Sequence, residues 1–226
     1  MTNIKPWPVI LILCLFFIIY QGGYRLYQIR VKEMSDALYK DGNYQDFKRI
    51  LERFTTKAVV PKAQRELLDL DANILLGNKE QIEEKIHVLT GMKLNSAQKA
   101  DLYRDEIIYY VQNKDEDRAN GTLSKFHDEL GSSNISLIRG YLKEAEYQVK
   151  IDLGRDTSYL SLMEEKAKEA KAKQSKGLYQ YRSGLLLLKL GKQKEAKTYF
   201  KEALLNLKDT GYQQIIENQL SEVENA

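Results

Sequence analysis

The stretch Gly177–Thr210, GLYQYRSGLLLLKLGKQKEAKTYFKEALLNLKDT, decides how the rest of the chain is read. Apolar residues recur three and four positions apart on either side of a central LGKQ. Leu178, Tyr181, Leu185 and Leu188 precede it, and Ala196, Tyr199, Phe200, Ala203, Leu204 and Leu207 follow it. That spacing puts each set on one face of a helix. Gly191, between them, can take the positive φ that ends a helix. Two amphipathic helices of about 14 residues joined by so short a turn form an αα-hairpin. Gly184, Ala196 and Ala203 are small, and paired helices approach closely only where side chains are short.

These residues resemble a tetratricopeptide repeat, a helix–turn–helix unit of about 34 residues. Its pattern asks for a glycine inside the first helix, a large apolar residue one turn on and a glycine at the turn. In the second helix it asks for an alanine, an aromatic and a further alanine. Gly184, Leu187, Gly191, Ala196, Phe200 and Ala203 answer it in register. The chain departs from the pattern where Gln180 replaces a tryptophan and Lys208 a proline. The resemblance implies an all-α solenoid of stacked helix pairs whose first helices line a partner groove. In this chain the groove positions would be Leu178, Tyr181, Leu185, Leu188 and Lys189. Leu185 and Arg182 stand where the family's clamp for a C-terminal carboxylate would want other residues, so that specific ligand is not expected.

The period extends upstream in weaker form. Turns are expected at Gly42, Gly77, Lys114 and Gly154, which with Gly191 gives separations of 35, 37, 40 and 37 residues. Behind them stand Phe47, Leu51 and Phe54; Ile82, Ile86 and Leu89; Ala119, Leu123 and Phe126; and Tyr159 and Met163. Most of the small residues are missing here. Residues 25–176 therefore read as degenerate repeats, 177–210 as the best-matching one, and 211–226 as a polar-backed capping helix carrying Tyr212, Ile215, Ile216, Leu220 and Val223. No such unit buries its apolar face alone, so stacking is required.

Residues 1–24 have a different character. Val9–Tyr20 is the uncharged run VILILCLFFIIY in a chain that is 30% charged. Trp7 to Tyr20 spans roughly 21 Å as a helix, and extension through Tyr24 gives about 27 Å, close to a hydrocarbon core of ~30 Å. Trp7, Tyr20 and Tyr24 sit where interfacial aromatics belong. A cleaved signal peptide fits less well, because only Lys5 precedes the run and no small-residue cleavage site follows it. The expectation is a transmembrane anchor in a cell membrane, crossing once. Arg25, Arg30 and Lys32 beyond the span favour a cytoplasmic body by about one charge. A short tail before a large C-terminal domain favours the opposite, and an extracytoplasmic body is the expectation adopted. Leu26, Ile29, Met34, Ala37 and Leu38 keep helical spacing, so the anchor should run into the first repeat, with Gly22 and Gly23 the only flexible point.

Composition excludes more than it assigns. Without Lys5 the body carries a formal +2, too near neutral for a nucleic-acid surface. The single cysteine, Cys14, leaves the body without a disulfide. His87 and His127 lack ligand partners at metal-binding spacing, and no nucleotide-binding or hydrolase motif is present. Carboxylates interleave with lysines as on solvated helix faces, and Glu164–Lys176, EEKAKEAKAKQSK, reads as a solvent-facing helix end. No cofactor, metal or enzymatic activity is expected. The reading is a membrane-anchored scaffold or adaptor for protein or peptide partners, the alternative being a permanent structural subunit of a secretion or envelope assembly. The 15 tyrosines, among them Tyr109, Tyr110, Tyr179 and Tyr181, could serve contact or packing, and packing is the simpler reading.

Overall fold

The structure, a computed structural model, describes residues 7–208 and 210–224, with side chains described from residue 13 to 223 apart from 209. Helices account for the regular structure, and no strand occurs among the described residues. The chain divides into two compact units, Met1–Leu102 and Tyr103–Ala226. The helices are α1 (Trp7–Ser35), α2 (Tyr44–Glu52), α3 (Phe54–Val59), α4 (Lys62–Leu76), α5 (Lys79–Thr90), α6 (Ser96–Gln112), α7 (Glu116–Leu130), α8 (Ser136–Tyr147), α9 (Leu160–Glu169), α10 (Lys173–Lys189), α11 (Gln193–Asn206) and α12 (Tyr212–Glu224). Two are prolonged by π-helical turns, α1 through Asp36–Lys40 and α8 through Gln148–Leu153.

Backbone conformation marks the hairpin turns. Positive φ occurs at Gly42, Gly77, Lys114, Arg155 and Gly191. Each is followed by a residue that opens the next helix or turn, and at three of the five that residue caps with its side chain. Asn43 accepts from the Asp46 amide, Asp115 from the Arg118 amide and Asp156 from the Ser158 amide. Where an α-helix precedes the turn, the closing bond spans five residues, as from Asn78 N to Asn73 O and from Lys192 N to Leu187 O. Where a π-turn precedes it, the bond spans six, from Asn43 N to Ala37 O and from Asp156 N to Lys150 O. One turn departs from the sequence reading. The turn falls at Arg155, with Gly154 still right-handed at φ −77°.

Two further departures are local, and the first has a plain cause. A short helix, α3, follows α2 after a break at Arg53, whose ψ of 138° is extended. It stops because Val60 precedes Pro61 and a residue before proline is pushed out of the helical region; Val60 has ψ 118°. The helix-forming run Glu164–Lys176 is split instead of continuous, with α9 ending at Glu169 and α10 opening at Lys173.

In the first unit, α1 runs unbroken through Gly22 and Gly23 and then joins a core. Met34, Ala37, Leu38, Phe47, Ile50, Leu51, Val60 and Ala72 form that core, with Tyr27 and Val31 packed against it. Asp69 on α4 is buried beneath two lysines: Lys48 of α2 at 2.5 Å and Lys85 of α5 at 2.9 Å. In the second unit, Tyr103 packs on Phe126 to join α6 to α7, α10 packs between α9 and α11, and α12 closes on α11.

Among the described residues no helix is long and apolar enough to cross a membrane. The span expected over 7–24 falls partly on residues 7–12, whose side chains lie outside the described residues. Its described part is an apolar helix with no cover: Leu13 and Leu15 to Tyr20 are each between 59% and 68% exposed.

Candidate functional site

The α10–α11 hairpin is closely packed, and its small residues explain why. A Cβ on Gly184 would lie 2.6 Å from Phe200 Cε1, and one on Gly177 would lie 2.7 Å from Leu207 Cγ. Both distances are below any real contact, so the aromatic and the leucine occupy the space of the missing side chains. Leu187, Ala196, Phe200 and Ala203 are fully buried. Gln180 is buried as well and serves the same interface by hydrogen bonds: its Nε2 donates to Glu202 at 2.6 Å, and its Oε1 accepts from Asn206 at 2.8 Å.

The expected groove positions have occupants within the chain. Tyr181 and Leu185 are buried, Leu178 and Leu188 are partly buried in the same cluster, and Lys189 is exposed. Tyr181 lies against Phe200 at 6.0 Å and edge-on to Tyr212 of α12 at 5.7 Å. Ile216, Leu220 and Val223 of α12 belong to the same cluster. Two of the five positions are therefore core and two lie at its edge, with Tyr212 of α12 against Tyr181. Burial pushes the Tyr181 hydroxyl up to about 12.

Arg182 is the residue the sequence reading undervalued. It is fully buried, yet makes two forked ion pairs. Its Nε and Nη2 donate to Asp152 at 3.0 and 2.9 Å, and its Nη1 and Nη2 donate to Glu144 at 3.2 and 2.5 Å. The Tyr147 ring lies 5.5 Å from the guanidinium. Desolvation opposes the charge, but Asp152 and Glu144 more than offset it and hold the arginine firmly protonated. The signal was present in the sequence: Leu185–Leu188 makes this helix apolar beyond one face, and such a helix is buried all round. Every residue from Gln180 to Leu187 is buried, so a charge inside that run had to be buried too.

The other singled-out residues do not converge. His87 and His127 are exposed on α5 and α7. Among the described residues no group of three or more His, Cys, Asp or Glu could hold a metal ion. Tyr109 and Tyr110 are buried between helices and Tyr179 is half-buried, as packing requires. No family model, curated protein or solved structure matches this chain.

Proposed function

We propose that the protein is a membrane-anchored helical-repeat scaffold that holds protein partners beside a membrane complex, its repeats related to tetratricopeptide repeats. The observation that carries the anchor is the all-round exposure of Leu13 and Leu15–Tyr20 on a helix that then enters a folded core. Seven exposed apolar residues on every side of one helix call for a surrounding apolar phase, since a single protein partner would cover one face only. The kinship is supported by Gly184, Gly191, Ala196, Phe200 and Ala203, each of which has a steric or backbone reason to be what it is. The body faces the extracytoplasmic side in this reading.

The filled groove favours the second form of the proposal, a structural subunit with one fixed partner, over an adaptor with exchanging peptide clients. The support is that Tyr212 lies against Tyr181 and Ile216 belongs to the same cluster, which leaves less of the expected face open to a client. Two measurements test the reading. Membranes carrying the full chain are washed at alkaline pH, where an anchored protein stays in the pellet; release into the supernatant overturns the anchor. The detergent extract is then weighed for stoichiometry: one partner at a fixed ratio supports the subunit, varied partners below unit ratio support the adaptor, and purification as a lone chain overturns both.

A further inference from the structure

Phe54 was expected in the core behind Leu51, and it is instead 85% exposed. It stands at the corner between α2 and α3. The inner side of α3 is spoken for, with Thr56 and Val60 buried, whereas Phe54, Thr55, Lys57 and Ala58 face outward. The surrounding segment, Arg49–Lys62, carries four cations (Arg49, Arg53, Lys57 and Lys62) against one carboxylate, Glu52; Arg49, Lys57 and Arg53 hold surface ion pairs with Asp46, Glu52 and Glu33, of the weak kind that lipid headgroups can exchange with. An exposed aromatic in a basic frame is the composition of a peptide that lies on an anionic bilayer.

The fold says where that corner stands. Helix α2 returns antiparallel to α1, and Arg53 Nη1 reaches Glu33 of α1 at 3.9 Å. Tyr24, at the end of the apolar segment, is nine residues before Glu33, about 14 Å along the helix at ~1.5 Å per residue. Helix α3 also packs on α1. Exposed Arg25 sits one residue beyond Tyr24. The corner and the apolar segment therefore belong to the same unit and are joined through α1, with the Arg53 contact about 14 Å along that helix from Tyr24.

Resting on the anchor reading above, we propose that the α2–α3 corner is a second membrane contact: Phe54 enters the interfacial layer while Arg49, Lys57 and Arg25 lie among anionic lipid headgroups. The first unit is thus seated on the bilayer and does not swing from its anchor. The unbroken path of α1 through Gly22 and Gly23 supplies the stiffness this requires.

The test uses the full chain with Trp7→Phe and Phe54→Trp, so that one tryptophan reports from the corner; position 54 is exposed enough to accept it. The protein is placed in nanodiscs of phosphatidylcholine alone or mixed with phosphatidylglycerol, and emission and quenching by brominated lipid are read. Expected is a blue-shifted, lipid-quenched tryptophan in anionic discs, and a weaker effect in zwitterionic ones. Solvent-like emission from protein that has entered the discs, or no difference between compositions, overturns the docking and leaves the anchor standing. Failure to enter discs at all overturns the anchor, and the docking with it. A blue shift in lipid-free detergent that grows with protein concentration assigns the corner to a second copy and overturns the proposal.

Discussion

The two units each bury an ion between two partners of opposite charge, but with the signs exchanged. In the first, Asp69 is buried while Lys48 and Lys85 stay 34% and 22% exposed at the side chain. In the second, Arg182 is completely buried, and its partners are Glu144, 39% exposed at the side chain, and Asp152, largely buried at 16%. Lysine heads can withdraw to water along flexible stems, so the first site tolerates disturbance. The guanidinium fork fixes direction as well as charge, so the second site sets how α10 lies against α8 and Gln148–Leu153. What the comparison teaches is that the residue type at the centre decides how rigid a buried ion site is.

Removing the fork should give the largest effect. Arg182→Met leaves two carboxylates facing an apolar helix and is expected to destabilise the second unit by about 3–5 kcal/mol, read by urea denaturation with hydrogen exchange on α8 and α10. Arg182→Lys should recover little of that loss; full recovery would mean that charge alone matters and the distinction between forks and stems is wrong. Gly184→Ala should come next. Helix propensity favours alanine by about 1 kcal/mol, yet the new methyl would collide with Phe200, and overpacking costs about 1–3 kcal/mol. A net loss in melting temperature is expected, and a gain would show that the hairpin can open without penalty.

Asp69→Asn should cost less than Arg182→Met, about 1–2 kcal/mol, because Lys85 keeps Glu66 at 2.7 Å. A loss as large as that of Arg182→Met would erase the contrast between the units. The smallest effect at ordinary pH is the tyrosine one. Burial raises Tyr181 to about 12 in the folded state, above an unfolded value of about 10. The folded state thus holds that proton more tightly, and the associated stability is complete below pH 10 and lost as pH rises toward 12. Tyr181→Phe should flatten this alkaline limb in melts recorded from pH 8 to 12. In the first unit the lysines behave alike in sign: burial opposes the Lys85 charge, and hydrogen bonds to Glu66 and Asp69 overcome it, so its contribution too fades only at strongly alkaline pH.

How far the fold was legible can be argued from the turns. Gly42, Gly77, Lys114 and Gly191 stood out in sequence because each separates two periodic runs, and all four adopt positive φ. Lys114 is the instructive one, since no glycine marked it; the Asp115 that follows could cap the next helix, and does. The buried second-helix residues Phe47, Ile82, Leu89, Ala119, Phe126 and Met163 followed from the same periodicity. Arg155 was missed because the neighbouring Gly154 drew the reading, although it stays right-handed at φ −77°. The break between α9 and α10 was missed because Ala170–Ala172 carry neither glycine nor proline.

The candidate groove was less legible. Its positions were apolar and periodic, and that pattern is the same whether the face meets a partner or the chain's own α12. Tyr181 met Tyr212 of α12, and Leu185 joined the same cluster as Ile216. Phe54 went the other way: its spacing matched a core position, but α2 breaks at Arg53 and turns the next side chain outward.

By itself the sequence determined most of the hairpin turns and which stripe of each helix is apolar, because capping, turn conformation and periodicity are settled among residues a few positions apart. Only the tertiary structure decided which partners each buried charge meets and which apolar faces stay open. Arg182 meets Glu144 and Asp152 from 38 and 30 residues away, and no local pattern encodes such a meeting. Burial belongs to the neighbours a residue finds in space, and those are chosen only when the helices pack.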